Sequence, residues 1–436
     1  MQFAFKKHNS PVAYCALSIK SGTRNEGKKY GGLAHFVEHL LFKGTKYRSA
    51  SVVNGYIEKL GGELNAYTSK EETVIHATVL KEDLHKAVGL LIEMGFLSTF
   101  PEKEFLKEKD VVMDEISSYK DSPSEQIYDD FEELLFKGSP LATPVLGSEE
   151  SLKQISLDVV NDYYTKFFTS ENMSFTLVAD VDENEAIKIV TKSLLKYKMK
   201  NPTMRIDLDD IQKIINKDSS TFANGNINQG STSSTANIAL EHNATNVDND
   251  NTFHKVVELH NHQTHCILGC KAYSYYDQKR IPLTLLLDYL GGSAANSRLN
   301  TILRERNALV YSVEASYAQY LDTGAITIYF GCDKENYQKC IDLIKKELKA
   351  VVNKKIPSRT LKAVKKQFMG QFAIASDNGE AQCLSMGKSL MIHRKLQTVD
   401  DIRKEIEAVS AEDMQNVARE LLIPEKLCIL IYKNIG

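Results

Sequence analysis

The sequence has no long apolar stretch and no recognisable export signal. Its 436 residues contain no run of about 18 apolar residues, the length that a membrane-spanning helix needs. The first residues, MQFAFKKHNSPVAYC, lack a basic segment followed by an apolar segment and a small-residue cleavage site. We therefore expect a cytoplasmic protein with no membrane partner, although a targeting segment could precede this chain.

An excess of one charge and a disulfide framework are also missing. The formal net charge is −3, so there is no basic surplus to neutralise phosphates, and we expect no nucleic acid partner. The seven cysteines are scattered and odd in number, unlike those of a small secreted scaffold. What the chain does have is 42% hydrophobic and 25% charged residues, a composition typical of a folded protein with a large core.

The length and the order of predicted elements indicate two similar domains. At about 150 residues per domain, a chain of this length predicts two or three domains. In the first half the patterns predict strands over 11–20, 63–80 and 174–181, and helices over 32–43, 50–60, 81–97, 101–119 and 123–137. In the second half they predict strands over 265–274, 310–319 and 324–332, and helices over 281–291, 296–306 and 334–352. The recurring order predicts an α+β fold of two homologous α/β-sandwich domains, each a sheet covered by helices, related by internal duplication.

A polar stretch separates the two halves. Residues 206–252 are rich in Ser, Thr, Asn and Gly, which is typical of a linker or surface loop. The predicted division is a first domain over 1–205, the linker over 206–252, and a similar second domain over 253–436.

The strongest chemical signal is the pentapeptide HFVEH at 35–39. Helical residues advance by about 100°, so His35 and His39 lie one turn apart on one face and both imidazoles can reach one ion. Glu38 projects from the same side of the helix, where it can act as a base on a water molecule without being a ligand. The alternative is a pair of ordinary helix histidines.

Catalytic zinc needs a third protein ligand and an open position for water. The best candidate is Glu115 in the predicted helix over 101–119, where Glu108 lies seven residues earlier on the same face. Taken by themselves, these two acidic residues would be better explained by a solvated helix face.

At this point the sequence resembles the pitrilysin or insulinase-type metallopeptidases, whose inverted motif is H-x-x-E-H. The short two-domain members, including bacterial peptidases and the β subunit of the mitochondrial processing peptidase, look most similar. Further landmarks are SGTRNE, FKGT, GGELNAYTSKEET, LGSEESLKQIS and NMSFTLVADVD in the first half, and QTHCILG and LGGSAANSRLNTILRERNALVYSV in the second. The resemblance also supports Glu115, 76 residues after His39, as the third ligand.

The resemblance implies roles for five more residues. Glu108 would support the metal site, and Asn65 and Ala66 would lie on an edge strand that binds substrate as an additional strand. From the second domain, Arg304 and Tyr311 would grip the substrate or stabilise the developing oxyanion. One departure is NALVY in place of the more usual R-G-L-A-Y, which puts Ala308 where Gly is common.

The implied activity is that of a zinc endopeptidase acting on peptides or unfolded polypeptides. One zinc ion per chain would activate a water molecule, from which Glu38 removes a proton. The family's short chains pair into a clamshell, so we expect a homodimer, or a heterodimer with a sister subunit, in which Arg304 and Tyr311 act on the partner's zinc. The alternatives are a non-catalytic subunit or a peptide-holding chaperone, and imidazole and carboxylate ligands also suit other metals.

A second cluster of histidines lies in the segment HNHQTH. His260, His262 and His265, with His254 nearby, form a tract of the kind that can bind metals. The segment leads into a predicted strand, in which residues five apart do not share a face. We therefore expect it not to be a metal site. The second half has TLLLDYLGG in place of H-x-x-E-H and is expected to be catalytically silent.

Overall fold

The computed structural model describes residues 1–216, 222–224 and 252–436. The strands are β1 (Gln2–Lys7), β2 (Val12–Ile19), β3 (Glu63–Thr68), β4 (Thr73–Leu80), β5 (Met173–Ala179), β6 (Phe222–Asn224), β7 (His254–Leu259), β8 (Thr264–Ala272), β9 (Val310–Gln319), β10 (Gly324–Cys332) and β11 (Cys428–Asn434). No helix in these ranges is long and apolar enough to span a membrane.

The helices fall between these strands. They are α1 (Leu33–Leu41), α2 (Ala50–Glu58), α3 (Leu84–Leu97), α4 (Glu102–Lys120), α5 (Pro123–Leu135), α6 (Glu149–Gln154), α7 (Leu157–Phe167), α8 (Glu183–Lys200), α9 (Leu208–Ile215), α10 (Arg280–Gly291), α11 (Tyr337–Asn353), α12 (Ser358–Ala375), α13 (Gly379–His393), α14 (Val399–Ala408) and α15 (Ala411–Leu421). Of these, α1 to α5, α10 and α11 match predicted helices. A π-helical segment, Asn300–Arg306, precedes β9.

The first compact unit contains Met1–Ser118, the described residues from Thr143 to β6, and Ile374–Thr398. Its sheet has the order β3-β4-β2-β5-β1-β6. On one face lies the main core, where α1, α3 and α8 contribute buried side chains such as Phe36, Leu91 and Val190. The other face is covered by α13, whose Cys383, Met386 and Leu390 pack against the sheet.

The second unit contains Tyr119–Ala142, the described residues from 252 to Ala373, and Val399–Gly436. Its sheet has the order β7-β11-β8-β10-β9. Helices α10, α11 and α15 form the main core on one face, with buried leucines throughout α10. The other face is covered by α5, which contributes Ile127 and Phe131.

The two sheets have the same topology. Reading β7, β8, β9, β10 and β11 as the counterparts of β1, β2, β3, β4 and β5 gives the same order of neighbours. The directions also agree, since β1 with β5 and β7 with β11 are parallel and the other counterpart pairs are antiparallel. The predicted fold class, two homologous α+β domains related by duplication, is confirmed.

The two compact units do not coincide with the two halves of the sequence. Helix α5 comes from the first half but packs in the second unit, and α13 comes from the second half but packs in the first. The predicted domains, 1–205 and 253–436, are each continuous in sequence. They therefore do not include this exchange of α5 and α13. Within the predicted linker, Leu208–Ile215 forms α9 with Ile211 and Ile214 buried, while most of 217–251 lies outside the described residues.

The single strand predicted over 63–80 is wrong, because the structure divides it into the antiparallel hairpin β3–β4. Polar residues at 69–72 form the turn, which is closed by the Ser69 backbone N–H donating to the Glu72 carbonyl at 2.8 Å. The Ser69 hydroxyl also accepts from the N–H groups of Glu71 and Glu72. Serine favours such local turns, and the alternating pattern on either side concealed the break.

Candidate metal centre

Helix α1 carries the H-x-x-E-H motif on an element that the core holds firmly. Phe36, Val37 and Leu40 are fully buried in the first domain's core. His35 and Glu38 are nearly buried, each with only 8% of its surface exposed. The apolar side chains of α1 therefore fix the helix against the domain, and the motif side chains have little freedom to reorient.

The structure brings His35, His39 and Glu115 together. One nitrogen of each imidazole and one carboxylate oxygen all lie within 4.8 Å of one another. His35 Nε2 is 3.7 Å from Glu115 Oε1, and His39 Nε2 is 3.4 Å from Glu115 Oε2. Ligands at zinc bond lengths in a tetrahedron are separated by about 3.4 Å. The spacing therefore suits an ion between the three groups.

Glu108 lies behind the predicted ligand His39, as the sequence resemblance implies. Its carboxylate is 2.9 Å from His39 Nδ1 and 2.5 Å from the Lys43 ammonium. When the His39 imidazole is neutral, a hydrogen bond from Nδ1–H to Glu108 leaves the Nε2 lone pair facing Glu115, where a metal would lie. Burial acts to raise the pKa of Glu108, but the hydrogen bonds from His39 and Lys43 outweigh it and lower the pKa.

The site's titrating groups respond to burial and to one another. Burial, assisted by the nearby His39, lowers the pKa of His35 to about 3, so its imidazole is neutral and able to donate a lone pair. Burial also acts to lower the pKa of His39, but the bond to Glu108 and the surrounding carboxylates outweigh it and raise the pKa. The pKa of Glu38 is raised, chiefly by burial.

Thr68 is a site residue that the sequence analysis did not identify. At the end of β3, its hydroxyl donates a 2.8 Å hydrogen bond to Glu38 Oε2. This bond fixes the Glu38 carboxylate and links it to the β3–β4 hairpin. Nothing in the spacing between residues 38 and 68 indicates the contact, because it depends on β3 lying beside α1.

Asn65 and Ala66 lie on the same strand, at the edge of the sheet. Among the described residues, β3 pairs only with β4, with Asn65 opposite His76 and Ala66 opposite Ile75. Asn65 is exposed and Ala66 is half-buried. In the described part of the chain, β3 is thus an edge strand, the kind of strand to which a peptide in extended conformation can be added.

Arg304 and Tyr311 lie in the second domain, at the end of the π-helical segment and the start of β9. Both are exposed, and the Tyr311 hydroxyl donates to Asp333 at 3.1 Å. Between them, Ala308 adopts a φ of 49°, in the left-handed region that favours glycine. A glycine would adopt this conformation without strain.

The histidine tract HNHQTH is not assembled into a cluster. His265 is buried in β8, and its Nδ1 lies 2.9 Å from the Tyr329 hydroxyl, while His260 and His262 are exposed. In the part of the chain that the structure describes, the site of His35, His39 and Glu115 is the one group of His, Cys, Asp or Glu with metal-binding proximity.

Fold and site together define a two-domain α+β chain with an inverted H-x-x-E-H helix in one domain. Sequence comparison agrees with this class. Residues 3–149 match the profile described as Insulinase (Peptidase family M16), and residues 154–368 match that of the Peptidase M16 inactive domain. The chain belongs to the M16 peptidase family, which confirms the resemblance drawn from the sequence.

Several relatives and solved structures match over nearly the whole chain. An uncharacterized zinc protease, YmxG of Bacillus subtilis, is 29% identical over 95% of this chain and 91% of its own length. An uncharacterized zinc protease of Rickettsia bellii is 26% identical over 96% and 92%. The crystal structure of a protease from Helicobacter pylori has a TM-score of 0.78 at 19% identity, covering 97% of this chain and 94% of that one. That likeness shows a shared fold.

Proposed function

We propose that this protein is a zinc-dependent endopeptidase that hydrolyses peptides or unfolded polypeptides, with one zinc ion per chain. The observation that carries the proposal is the convergence of two imidazole nitrogens and the Glu115 carboxylate at 3.4 and 3.7 Å, beside the nearly buried Glu38. Membership of the M16 family and relatives named zinc proteases support the same class of reaction. A cytoplasmic location, expected from the sequence, is part of the proposal.

The residues present suit zinc. Two neutral imidazoles and one carboxylate are a donor set of catalytic zinc sites, and Glu108 supplies the outer carboxylate that orients a metal-binding histidine. His35, His39 and Glu115 would hold the ion. When bound, zinc supplies Lewis acidity, which lowers the pKa of water and polarises a carbonyl group.

Glu38 would handle the proton. Its carboxylate is held by Thr68 and interacts electrostatically with His39 and Glu115, so it would take a proton from the attacking water and deliver it to the leaving amine. The exposed edge of β3 would bind the substrate backbone near Asn65 and Ala66, which gives affinity with little side-chain selectivity.

The direct test replaces Glu38 with Gln, which keeps the shape of the side chain but cannot accept the proton. Zinc content should stay at one ion per chain, while cleavage of an unstructured peptide library should fall by about 10²–10⁴-fold. Glu58→Gln, an exposed position on α2, serves as the control and should cleave normally. Unchanged turnover in Glu38→Gln would remove Glu38 from the mechanism.

The proposal includes a homodimer in which Arg304 and Tyr311 grip substrate at the partner's zinc site. It draws support from their exposure and from the absence of metal ligands beside them among the described residues of the second domain. Mixing Glu38→Gln chains with Arg304→Ala chains should then restore roughly a quarter of wild-type activity, since half of the dimers contain one intact site.

The controls for mixing are each variant alone, both of which should be inactive or nearly so. No recovery in verified mixed dimers would exclude sharing of the site between chains. A wild-type protein that binds zinc but cleaves nothing would indicate the peptide-holding chaperone, and one that binds neither zinc nor peptide would indicate a non-catalytic subunit or the need for a sister subunit.

A further inference from the structure

The start of helix α1 is capped by a side chain from outside the helix. The Glu26 carboxylate accepts the backbone N–H of Gly32 at 2.9 Å with one oxygen and that of Ala34 at 2.5 Å with the other. Free N–H groups at a helix N-terminus need such acceptors. Burial raises the pKa of Glu26 to about 8, against the opposing effect of these two hydrogen bonds. Ala34 precedes the predicted ligand His35 by one residue.

The helix cannot supply this cap from its own N-cap position. That position is Gly32, which has a φ of 85° and no side chain to accept the N–H groups. A Cβ atom on Gly32 would lie 2.5 Å from the Leu146 carbonyl oxygen, so the usual Ser, Thr, Asp or Asn does not fit. Glu26 therefore replaces an N-cap residue that the close approach of the chain at residue 146 excludes.

The backbone before Glu26 is fixed by the same hairpin that contacts Glu38. The N–H groups of Thr23 and Arg24 donate to the carbonyls of Ser69 and Lys70 at 3.2 and 2.8 Å, in the turn after Thr68. Arg24 also forms a 2.5 Å ion pair with Glu71. The turn at 69–72 thus holds the loop that presents Glu26, and Glu26 in turn holds the first turn of α1.

A second anchor lies on the other side of the same helix end. The Ser151 hydroxyl donates to the Gly31 carbonyl at 2.7 Å, and Gly147, with a φ of 69°, lies against Gly31. Three landmarks of the sequence, SGTRNE, NAYTSKEET and LGSEES, therefore meet at the start of α1. Of these contacts, only those of Glu26 reach the amide groups of the helix itself.

We propose that Glu26 is a positioning residue that fixes the first turn of α1, and thereby the direction of His35, for metal binding. This inference rests on the proposed function for its consequence in catalysis. Its structural part, the capping of α1, does not depend on a bound metal.

The test compares Glu26→Gln and Glu26→Asp with the wild type. The Gln amide has one acceptor oxygen, so one of the two N–H groups faces an NH₂ donor, and the Asp carboxylate falls one methylene short of both. We expect zinc affinity, measured by competition with a chelator, to weaken by about 10–100-fold in Glu26→Gln, the range seen for residues that support metal ligands. We expect kcat to fall while KM stays nearly constant, because β3 is unchanged.

A readout without metal separates capping from catalysis. In the zinc-free protein, amide hydrogen exchange over residues 30–41 should accelerate roughly tenfold or more in Glu26→Gln, and at least as much in Glu26→Asp, whose carboxylate reaches neither N–H group. Asn378→Ala is the matched control, since it removes the N-cap of α13, which accepts from the Ala381 N–H, in the same domain but on the opposite face of the sheet from α1. Its exchange over 30–41 and its zinc affinity should equal those of the wild type.

The outcomes distinguish a failure of the role proposed for Glu26 from a failure of the proposed zinc-dependent function. Wild-type zinc affinity and wild-type exchange over 30–41 in folded Glu26→Gln would overturn the role of Glu26. If Glu26→Gln does not fold, the same two measurements on Glu26→Asp decide the matter. If the wild-type protein itself binds no zinc, the proposed function fails, while the exchange comparison still tests the cap.

Discussion

The two domains share one sheet topology but differ in the helix that follows the second strand. In the first domain that helix is α1, with His35, Glu38 and His39. In the second it is α10, in which Leu283, Leu286, Leu287 and Leu290 keep the buried face while no metal-binding pair is present. In each helix the apolar face packs into the core, and the remaining positions carry or lack the metal-binding side chains. A duplicated domain can therefore lose the metal-binding residues and keep its fold.

The connection before this helix also differs. Residues 20–32 join β2 to α1, whereas the shorter stretch 273–279 joins β8 to α10. The longer connection contains Glu26, which accepts the N–H groups of both the N-cap residue Gly32 and the helical residue Ala34, whereas at α10 Asp277 accepts the N–H of the N-cap residue Lys279. The longer connection in the first domain therefore adds hydrogen bonds at the start of the helix that carries the candidate site.

The largest expected difference between the domains is in metal binding. His39→Ala should weaken zinc binding by more than the roughly 10–100-fold typical of residues behind the ligands, because it removes a ligand itself. His265→Ala, in the second domain, should leave one zinc per chain. Metal analysis after dialysis against a weak chelator checks both. Equal losses in the two variants would mean that the second domain contributes to the metal site.

A matched pair of core substitutions should separate stability from chemistry. Leu40→Ala in α1 and Leu286→Ala in α10 each remove a fully buried leucine from the corresponding helix. Each should cost about 2–5 kcal/mol of unfolding free energy, because a cavity is left in a packed core. Denaturant titration measures this cost. Only Leu40→Ala should also weaken zinc binding; a similar effect from Leu286→Ala would contradict the separation.

Removal of the Thr68 hydroxyl should give a smaller, local effect. Hydrogen bonds to charged groups contribute about 1.5–3 kcal/mol, so Thr68→Val should lower kcat by at least about tenfold through a less well-held Glu38. Thr68→Ser keeps the hydroxyl and should recover most of the rate. Steady-state kinetics on an unstructured peptide would measure kcat for both variants. Equal kcat values for the Val and Ser variants would argue against a role for the hydrogen bond from Thr68 to Glu38.

The smallest expected effect is a gain in stability in the second domain. Ala308 has a φ of 49°, a conformation that costs a non-glycine residue about 1 kcal/mol. Ala308→Gly should therefore raise the thermal midpoint slightly without changing zinc content. Ala363→Gly, on the exposed side of α12, is the control and should lower it, since glycine costs about 1 kcal/mol within a helix.

Much of the fold was predictable because its signals are local. The helix over 32–43 and the strands over 310–319 and 324–332 were predicted nearly as they are, since their apolar periodicity extends over the whole element. The hairpin β3–β4 was missed because its polar turn is short. Helices α6, α7, α9 and α12 to α15 were not predicted.

The sequence by itself determined the motif His35-x-x-Glu38-His39, the spacing to Glu115 and the repeated order of elements, because each depends on residue types at fixed distances along the chain. Only the tertiary structure decided which helices cover which sheet, with α5 and α13 exchanged between the sequence halves, and which side chains hold α1 and Glu38. Those contacts join residues far apart in the chain, such as Thr68 to Glu38, and no local pattern encodes them, since they arise only when strands and helices pack.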